Sequence, residues 1–433
     1  MTRSRRERAA TAGGLVAGLL ALVLTGCSKH QLVDLAMASA PHPRTRPDQR
    51  AAADGLAAPS TLGPYQILAG DMHCHVLPPD SPWHVSRDLL ETARLATEAN
   101  LDFVVLTPHV PARFFLDPEM REWVRGTQQV LRARAEALAP RPDGSGPRAP
   151  LLVPGMEYTD HRFGHIGLSF ADVDAVLDDI PIDELLSNPS LFFEKWRAHG
   201  GIATINHPVV RPLPKAPFME LRYDLSWRGF APAGSTETPV GLPEIRWLSE
   251  HADAIETYNM TAGHLRDQFF VGDPDWTMRE GTHLLDRIAR TQKRRVAPVG
   301  GSDSHGGWLR PTTFVLATDR TTPAIRDAIV HGRTCVRGPE GCTLEVRGRD
   351  GAFHPVGASI VSSSSSSHVH AIEARARGGP ATYVVNGEIA ATGADGETVR
   401  VPVPGRCALV RVVVERSASA PVYVDCPWAA PKR

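Results

Sequence analysis

The sequence predicts an α/β fold, its parallel sheet wound toward a barrel and followed by a small all-β tail. Three observations predict it. From Tyr65 to about residue 340, short apolar runs alternate with amphipathic stretches. The His, Asp and Glu residues of interest fall where apolar runs end. Beyond about residue 340 the helical signal stops and short alternating segments take over. Repeated βα units argue for a parallel sheet, and this many of them for a barrel. With 433 residues there is room for two domains and a leader.

In chain order, Tyr65–Ala69 reads as a strand and Ser86–Ala99 as a helix, with Leu89, Ala93 and Ala96 on one face and Asn100 as the stop. Phe103–Leu106 is a buried strand, and Met120, Val124, Thr127, Leu131, Ala135 and Leu138 mark the next helix. Strands follow at Leu151–Pro154 and Ile166–Phe170, a helix at Leu191–His199, and a strand at Ile202–Ile205. The alternation continues with helix Ile245–His251, strand Ala254–Thr257, helix Thr277–Lys293, strand Val296–Val299 and helix Thr322–Gly332. Pro140–Pro150 is a surface loop, and the Pro-rich residues 211–243 form a long insertion beside the sheet rim. The tail strands are Thr343–Val346, Val369–Ala374, Ala381–Val385, Leu409–Val414 and Val422–Val424, a pattern for a small sandwich. The predicted boundaries are therefore a leader at 1–27, a tether at 28–60, the α/β unit at 61–340 and the β domain at 341–433.

The leader carries Arg3, Arg5, Arg6 and Arg8, then an uncharged, mostly apolar run from Ala9 to Gly26. That layout is a secretory signal, too short to span a bilayer comfortably. Its end, Leu24-Thr25-Gly26-Cys27, resembles a bacterial lipobox, which implies lipidation at Cys27 and a protein held at the cell envelope, on the periplasmic side or the cell surface. Each buried CH₂ of an acyl chain contributes ~0.8 kcal/mol, so several chains would hold it firmly. Residues 28–60, rich in Ala, Pro and Arg, read as a flexible tether. Export permits disulfides, and Cys335 with Cys342 and Cys407 with Cys426 are candidate pairs, while Cys74 reads as a free thiol.

A net charge of -1 encodes no general attraction to nucleic acid or anionic membrane, and no basic stripe or stacking platform stands out. A nucleic-acid partner is therefore not expected. The preference for an anionic substrate has to come from local charge.

That charge is legible at the strand ends. Asp71-Met72-His73-Cys74-His75 follows the first strand, with Asp80 five residues on. Thr107-Pro108-His109 ends the second, Gly155-Met156-Glu157 the third, and Gly164-His165-Ile166 opens the next. Asn206-His207-Pro208 and Ser302-Asp303-Ser304-His305 end two more. In α/β barrels this face carries the catalytic residues. A divalent cation needs several N and O donors converging from different strands, and His-x-His on an extended segment aims both rings the same way. Asp303-x-His305 repeats the device. The chain has 18 histidines, so coincidence can explain one such position but not the whole set.

This set resembles the PHP superfamily, named for polymerase and histidinol phosphatase, and within it the exported, carbaryl-hydrolase-like branch. The resemblance covers roughly Tyr65 to Pro339. Leu101-Asp102-Phe103-Val104-Val105-Leu106-Thr107-Pro108-His109 looks like the family's second motif, with Pro108 where an Asp is usual. The resemblance implies a distorted (β/α)7 barrel with a C-terminal all-β sandwich domain and two or three divalent cations, Zn, Mn or Fe. It implies that His73, His75, Glu157 and Asp303 hold the first cation, and that Glu157 bridges to a second held by His165 and His207. Asp80, His109 and His305 would hold a third, with His84 and His161 as nearby alternatives to Asp80 and His165. Glu157, Asp303 and His305 would be the catalytic groups.

Weaker candidates surround the set. Arg113, Arg211 and Arg310 could clamp a phosphate or carboxylate, and Asn259 could hold Glu256 or a substrate oxygen. His251, His264, His283 and His331 fall in helical stretches and read as surface residues. The expected activity is hydrolysis of a small ester by a metal-bridged hydroxide, a phosphoester first and a carboxyl or carbamate ester second. A surface binding protein with a structural metal site is the alternative of another class.

Overall fold

The computed structural model describes residues 61–140, 149–210, 226–230, 242–264, 267, 272–273, 275–362 and 369–428. The leader, Cys27, the tether, Arg211 and most of the 211–243 insertion lie outside the described residues.

Eight strands build the sheet that positions the site. They are β1 (Tyr65–Cys74), β2 (Phe103–Leu106), β3 (Leu151–Asp160), β4 (Gly164–Ser169), β5 (Ile202–Ile205), β6 (Ala254–Asn259), β7 (Ala297–Gly301) and β8 (Thr313–Ala317). β1–β2, β2–β3, β5–β6 and β6–β7 pair in parallel. β2 and β5 are buried at every residue, which is why both read as continuous apolar runs. Around the sheet lie α1 (Leu89–Glu98), α2 (Pro118–Ala137), α3 (Leu191–Ala198), α4 (Pro243–His251), α5 (Trp276–Thr291) and α6 (Thr322–Val330).

The expected parallel (β/α)7 barrel is met only in part. The sheet is mixed: β3–β4, β4–β5 and β8–β1 are antiparallel. β4 reverses because only three residues separate it from β3, far too few for a helical crossover. Asp160 makes that turn tight, its Oδ1 accepting the N–H groups of Arg162 (2.8 Å) and Phe163 (3.0 Å). Nor is the ring closed by a ladder. β1 and the segment that follows β7 meet through an isolated bridge, Cys74 with Ser304. Beside it, the Thr312 and Thr313 hydroxyls donate to Gly300 O, at 2.9 and 2.7 Å.

Two boundaries shift for reasons that bear on the site. α1 begins at Leu89, not Ser86, because the Asp88 carboxylate caps it by accepting the Glu91 N–H at 2.8 Å. Ser86 N–H is thereby released to donate to His305 O at 2.9 Å. β3 runs on past Pro154, the last residue it pairs with β2, and then pairs with the short strand His109–Pro111. Glu157 therefore sits within a strand, opposite His109.

Aromatic side chains fill one end of the interior: Phe114, Phe115, Tyr158, Phe192, Phe193 and Trp196 are each at most 1% exposed. The strand Thr334–Val336 pairs with β8 on one side and with Ser417–Ser419 on the other, handing the large sheet on to the tail. There Ala381–Val385, Glu388–Gly393, Ala408–Val414 and Val422–Val424 continue it, and Glu345–Arg347, Phe353–Pro355, His370–Arg375 and Val399–Val403 make a separate four-stranded sheet. One apolar cluster joins the two layers with Ile67, Ala69, Phe314 and Leu316. Disulfides link Cys335 to Cys342 and Cys407 to Cys426, and Cys74 is a buried free thiol.

Candidate metal centre

The ends of β1, β3, β5, β6 and β7 bring their polar side chains to one place. On β1 the extended backbone aims His73 and His75 together, with their Nε2 atoms 3.1 Å apart. Glu157 stands at the middle of the group. Its carboxylate lies 3.0 Å from His73 Nε2, 3.7 Å from His75 Nε2, 3.4 Å from His109 Nε2, 3.3 Å from His165 Nδ1 and 3.6 Å from His207 Nε2. Asp303 Oδ1 lies 3.5 Å from His73 Nε2 and 3.3 Å from His75 Nε2. The His305 ring stacks on His75, centroids 4.0 Å apart. Four donor groups thus share members: His73, His75 and Glu157; Glu157, His165 and His207; His75, His109 and His305; and His73, His207 and Glu256. The His109 and His305 side chains are 28% and 27% exposed against 0–10% for the other members, so the cluster opens to solvent on their side.

Most rings are held from behind. His73 Nδ1 faces Glu256 Oε1 at 3.2 Å, His75 Nδ1 faces Asp80 Oδ2 at 3.1 Å, His109 Nδ1 faces Asp80 Oδ1 at 2.8 Å, and His305 Nδ1 faces the Asp303 carbonyl at 3.0 Å. An imidazole whose Nδ1 is bonded to an oxygen presents Nε2 forward, the arrangement typical of metal-binding histidines. His165 departs from it, turning Nδ1 toward Glu157.

Charge explains the shifts in proton affinity. Burial alone would lower the His73 pKa, but Glu157, Asp303 and Glu256 outweigh it and hold it well above the usual imidazole value. His75 is raised to about 9 against its burial, by Asp303 and Asp80. Glu157 is held well below the usual carboxylate range, burial being overcome by His165 and His73. Asp303 is likewise held low against its burial, by His73 and His75. His305 falls to about 3, through burial and the neighbouring His75. Burial pushes Asp71 up to about 6, against hydrogen bonds from Ser302.

The backbone is bent to suit. His207 at φ +29° and Asp303 at φ +50° occupy the left-handed region that non-glycine residues avoid, a strain tolerated where function fixes the geometry. Gly301 is required beside them. A Cβ there would stand 2.3 Å from His73 Cβ and 2.0 Å from Glu256 Oε1.

Nine residues were expected to ligate, and the structure brings seven of them together with Glu157. Asp80 differs: it sits behind the cluster, orienting His75 and His109. Its two oxygens face the Nδ1 atoms of His75 and His109, so in this structure it orients those two rings. His84 and His161 are exposed neighbours of His109 and His165, with ring centroids 5.8 and 6.2 Å away, and neither joins a donor group.

The expected substrate-binding residues fare less well. Asn259 is fully buried, and of its two expected roles the structure shows the first: its Nδ2 donates to Glu256 Oε2 (3.0 Å), and also to Asp303 Oδ2 (3.3 Å). Arg113 Nε is paired with buried Glu244 at 2.6 Å. Arg310 is buried, and burial lowers its pKa. His264, expected at the surface, is 2% exposed and packs against Tyr258. Two supports went unread in the sequence. Glu256 accepts from His207 N–H at 2.6 Å as well as facing His73, and Asn206 Nδ2 donates to Glu157 Oε1 at 2.8 Å. The signal for Glu256 was an acid set inside an apolar strand, Ala254–Asn259.

The donor chemistry fits divalent cations. Imidazoles with carboxylates, most of them buried, their outer atoms bonded and their inner atoms converging within ligand range, match the N and O preferences of Zn, Mn or Fe. No protein-family model matches the chain, and no curated protein matches it. Among solved structures, it is similar to a two-domain Bacteroides vulgatus protein containing a predicted PHP-like metal-dependent phosphoesterase. The identity is 18%, the match covers 83% of this chain and 90% of that one, and the TM-score is 0.40. It is also similar to the lesion-specific endonuclease Q of Pyrococcus furiosus (13% identity, 67% and 64% covered, TM-score 0.34). A third likeness is to PsfC of Pseudomonas syringae (13% identity, 58% and 82% covered, TM-score 0.31). At these scores the likenesses are loose, and the site's own geometry is the firmer ground.

Proposed function

We propose that this chain is a metal-dependent hydrolase acting on small phosphoesters. The observation that supports it is the position of Glu157, one carboxylate reached by imidazoles from both the His73–His75 side and the His165–His207 side. That is the place of a residue shared between two cations. Divalent cations bound there would supply Lewis acidity and a water nucleophile active near neutral pH. The chain's own residues do the rest. His73, His75 and Glu157, with Asp303 beside the two rings, would hold one cation, Glu157, His165 and His207 a second, and His75, His109 and His305 a third. The exposed faces of His109 and His305 mark where an ester enters. His305 stands at that opening with Nδ1 held by the Asp303 carbonyl, which leaves Nε2 forward for the third cation.

The test is elemental analysis of purified protein together with rates on phosphomonoesters, phosphodiesters, aryl carboxyl esters and aryl carbamates. We expect bound metal, phosphoester turnover abolished by chelator and restored by Zn or Mn, and a loss of at least a thousandfold in Asp303→Ala (~4 kcal/mol or more). Full metal content with no phosphoester turnover would remove this choice. Unchanged turnover in Asp303→Ala would favour a structural metal site.

One observation favours a carboxyl or carbamate ester instead. Arg113, a rim cation suited to a phosphate, is committed to Glu244. The same substrate panel separates the two. The reading includes export and a lipid anchor at Cys27, with the two disulfides in support. Among the described residues no helix is long and apolar enough to cross a membrane. Radiolabelled fatty acid incorporated by the parent chain but not by Cys27→Ala is the expected result.

A further inference from the structure

We propose that Arg87 is a positioning residue of this metal centre, fixing the backbone that carries His75 against the backbone that carries Asp303 and His305. The inference rests on the reading of the cluster as a metal site. It starts from where Arg87 lies. The guanidinium is buried, 3% exposed, at the seam where β1 and the segment that follows β7 meet without a continuous ladder.

Its donors go to both sides of that seam. Nη2 donates to His75 O at 3.0 Å and to Ser304 O at 2.9 Å, and lies 3.0 Å from Cys74 Sγ. Nη1 donates to Ser304 Oγ at 2.7 Å, to Gly306 O, and more weakly to Trp308 O at 3.5 Å. Nε donates to Thr92 Oγ1 at 3.1 Å, tying the fork to α1. The planar fork therefore reaches His75 O, Ser304 and Gly306 O from one fixed point.

Among the described residues these hydrogen-bond partners are carbonyls, hydroxyls and a thiol, not a carboxylate. Burying a cation on neutral dipoles is unfavourable unless each donor is satisfied. Such an arrangement is hard to account for as general packing. It is readily understood where the spacing of two loops must be held. Those loops carry the 3.3 Å approach of His75 Nε2 to Asp303 Oδ1 and the stacking of His75 on His305. Among the described residues the backbone bonds that tie these loops are His75 N–H to Ser304 O (3.2 Å), Asp303 N–H to His73 O (2.8 Å) and, from the residue before Arg87, Ser86 N–H to His305 O (2.9 Å). A lysine keeps the charge but cannot reach both loops at once.

The experiment compares the parent chain with R87K and R87A after loading with Co(II). Three quantities are read: the visible absorption of bound cobalt, cobalt affinity by chelator competition, and kcat and KM on an aryl phosphate. We expect R87K to fold, to show a shifted cobalt band, to lose about 10–100-fold in cobalt affinity as supporting residues around metal ligands do, and to lose kcat more than KM. Millimolar guanidinium should move the R87A spectrum back toward the parent's. If R87A does not fold, R87K decides alone. A parent-like spectrum and affinity in R87K, with only a lowered Tm, would overturn the proposal and leave Arg87 as a packing residue. A parent chain that takes up no cobalt would instead overturn the metal reading itself, and this inference with it. Cobalt uptake without phosphate turnover leaves the spectrum and affinity to decide for Arg87.

Discussion

Glu256 and Gly301 show how narrowly single residues set this site. Glu256 spends one oxygen on His73 Nδ1 and the other on His207 N–H and Asn259, so one carboxylate orients residues of two donor groups. Glu256→Gln places an NH₂ where one set of donors already points, leaving at least one hydrogen bond unmade. We expect metal affinity to fall about 10–100-fold with little change in circular dichroism, measured by chelator competition. Gly301→Ala acts through space alone. Its methyl would overlap His73 Cβ and Glu256 Oε1, and neither can retreat without moving a donor. The expected outcome is a folded protein with metal content well below the parent's, read by elemental analysis. The histidines themselves were legible because an imidazole ending an apolar strand has little else to do there. Glu256 was not, because its role depends on β6 lying between β5 and β7, a neighbour relation that no local pattern carries.

At the scale of elements, α5 is fastened to the tail by a buried ion pair, Asp286 Oδ2 with Arg411 Nε at 2.8 Å, both side chains 3% exposed. Removing one partner strands the other charge in a low dielectric. Asp286→Ala should therefore cost about 3–5 kcal/mol, whereas a volume-matched apolar pair at both positions should be near neutral or stabilising. Urea unfolding of the two variants checks it. Equal losses in both would mean that the pair contributes net stability. The Cys407–Cys426 disulfide closes a loop of 19 residues in the same region. In the chain-entropy model Cys407→Ala with Cys426→Ala should lower stability by about 3 kcal/mol, measured the same way. Helix α2 was readable because Val124, Leu131 and Ala135 of its apolar period do face the core. β4 and β8 defeated the reading for a physical reason. Strict βα alternation leaves no place for antiparallel neighbours, and strand order in a sheet is set by packing between elements distant in sequence.

At the scale of the molecule, the open seam and the cluster lie together, so metal removal should have a local signature. Segment 76–87 is pinned around the site: Asp80 holds His75 and His109, Ser86 N–H meets His305 O, and Arg87 spans the seam. The tail core is built from apolar contacts that include no member of the cluster. A cation that binds only the folded state stabilises it by about 4 kcal/mol at a thousandfold excess over its Kd. Stripping it should therefore lower Tm, and re-addition should restore it. The loss should not be spread evenly. Local opening follows the weakest set of contacts, and without a cation the paired imidazoles and carboxylates must hold one another with their charges unbalanced. Amide exchange in the chelated protein should rise across residues 76–87 and 302–308 while Ala381–Val385 and Ala408–Val414 stay protected. Uniform acceleration over the α/β unit and the tail would mean that the cation stabilises the whole fold at once. No change anywhere would mean that the cluster holds its shape without any cation.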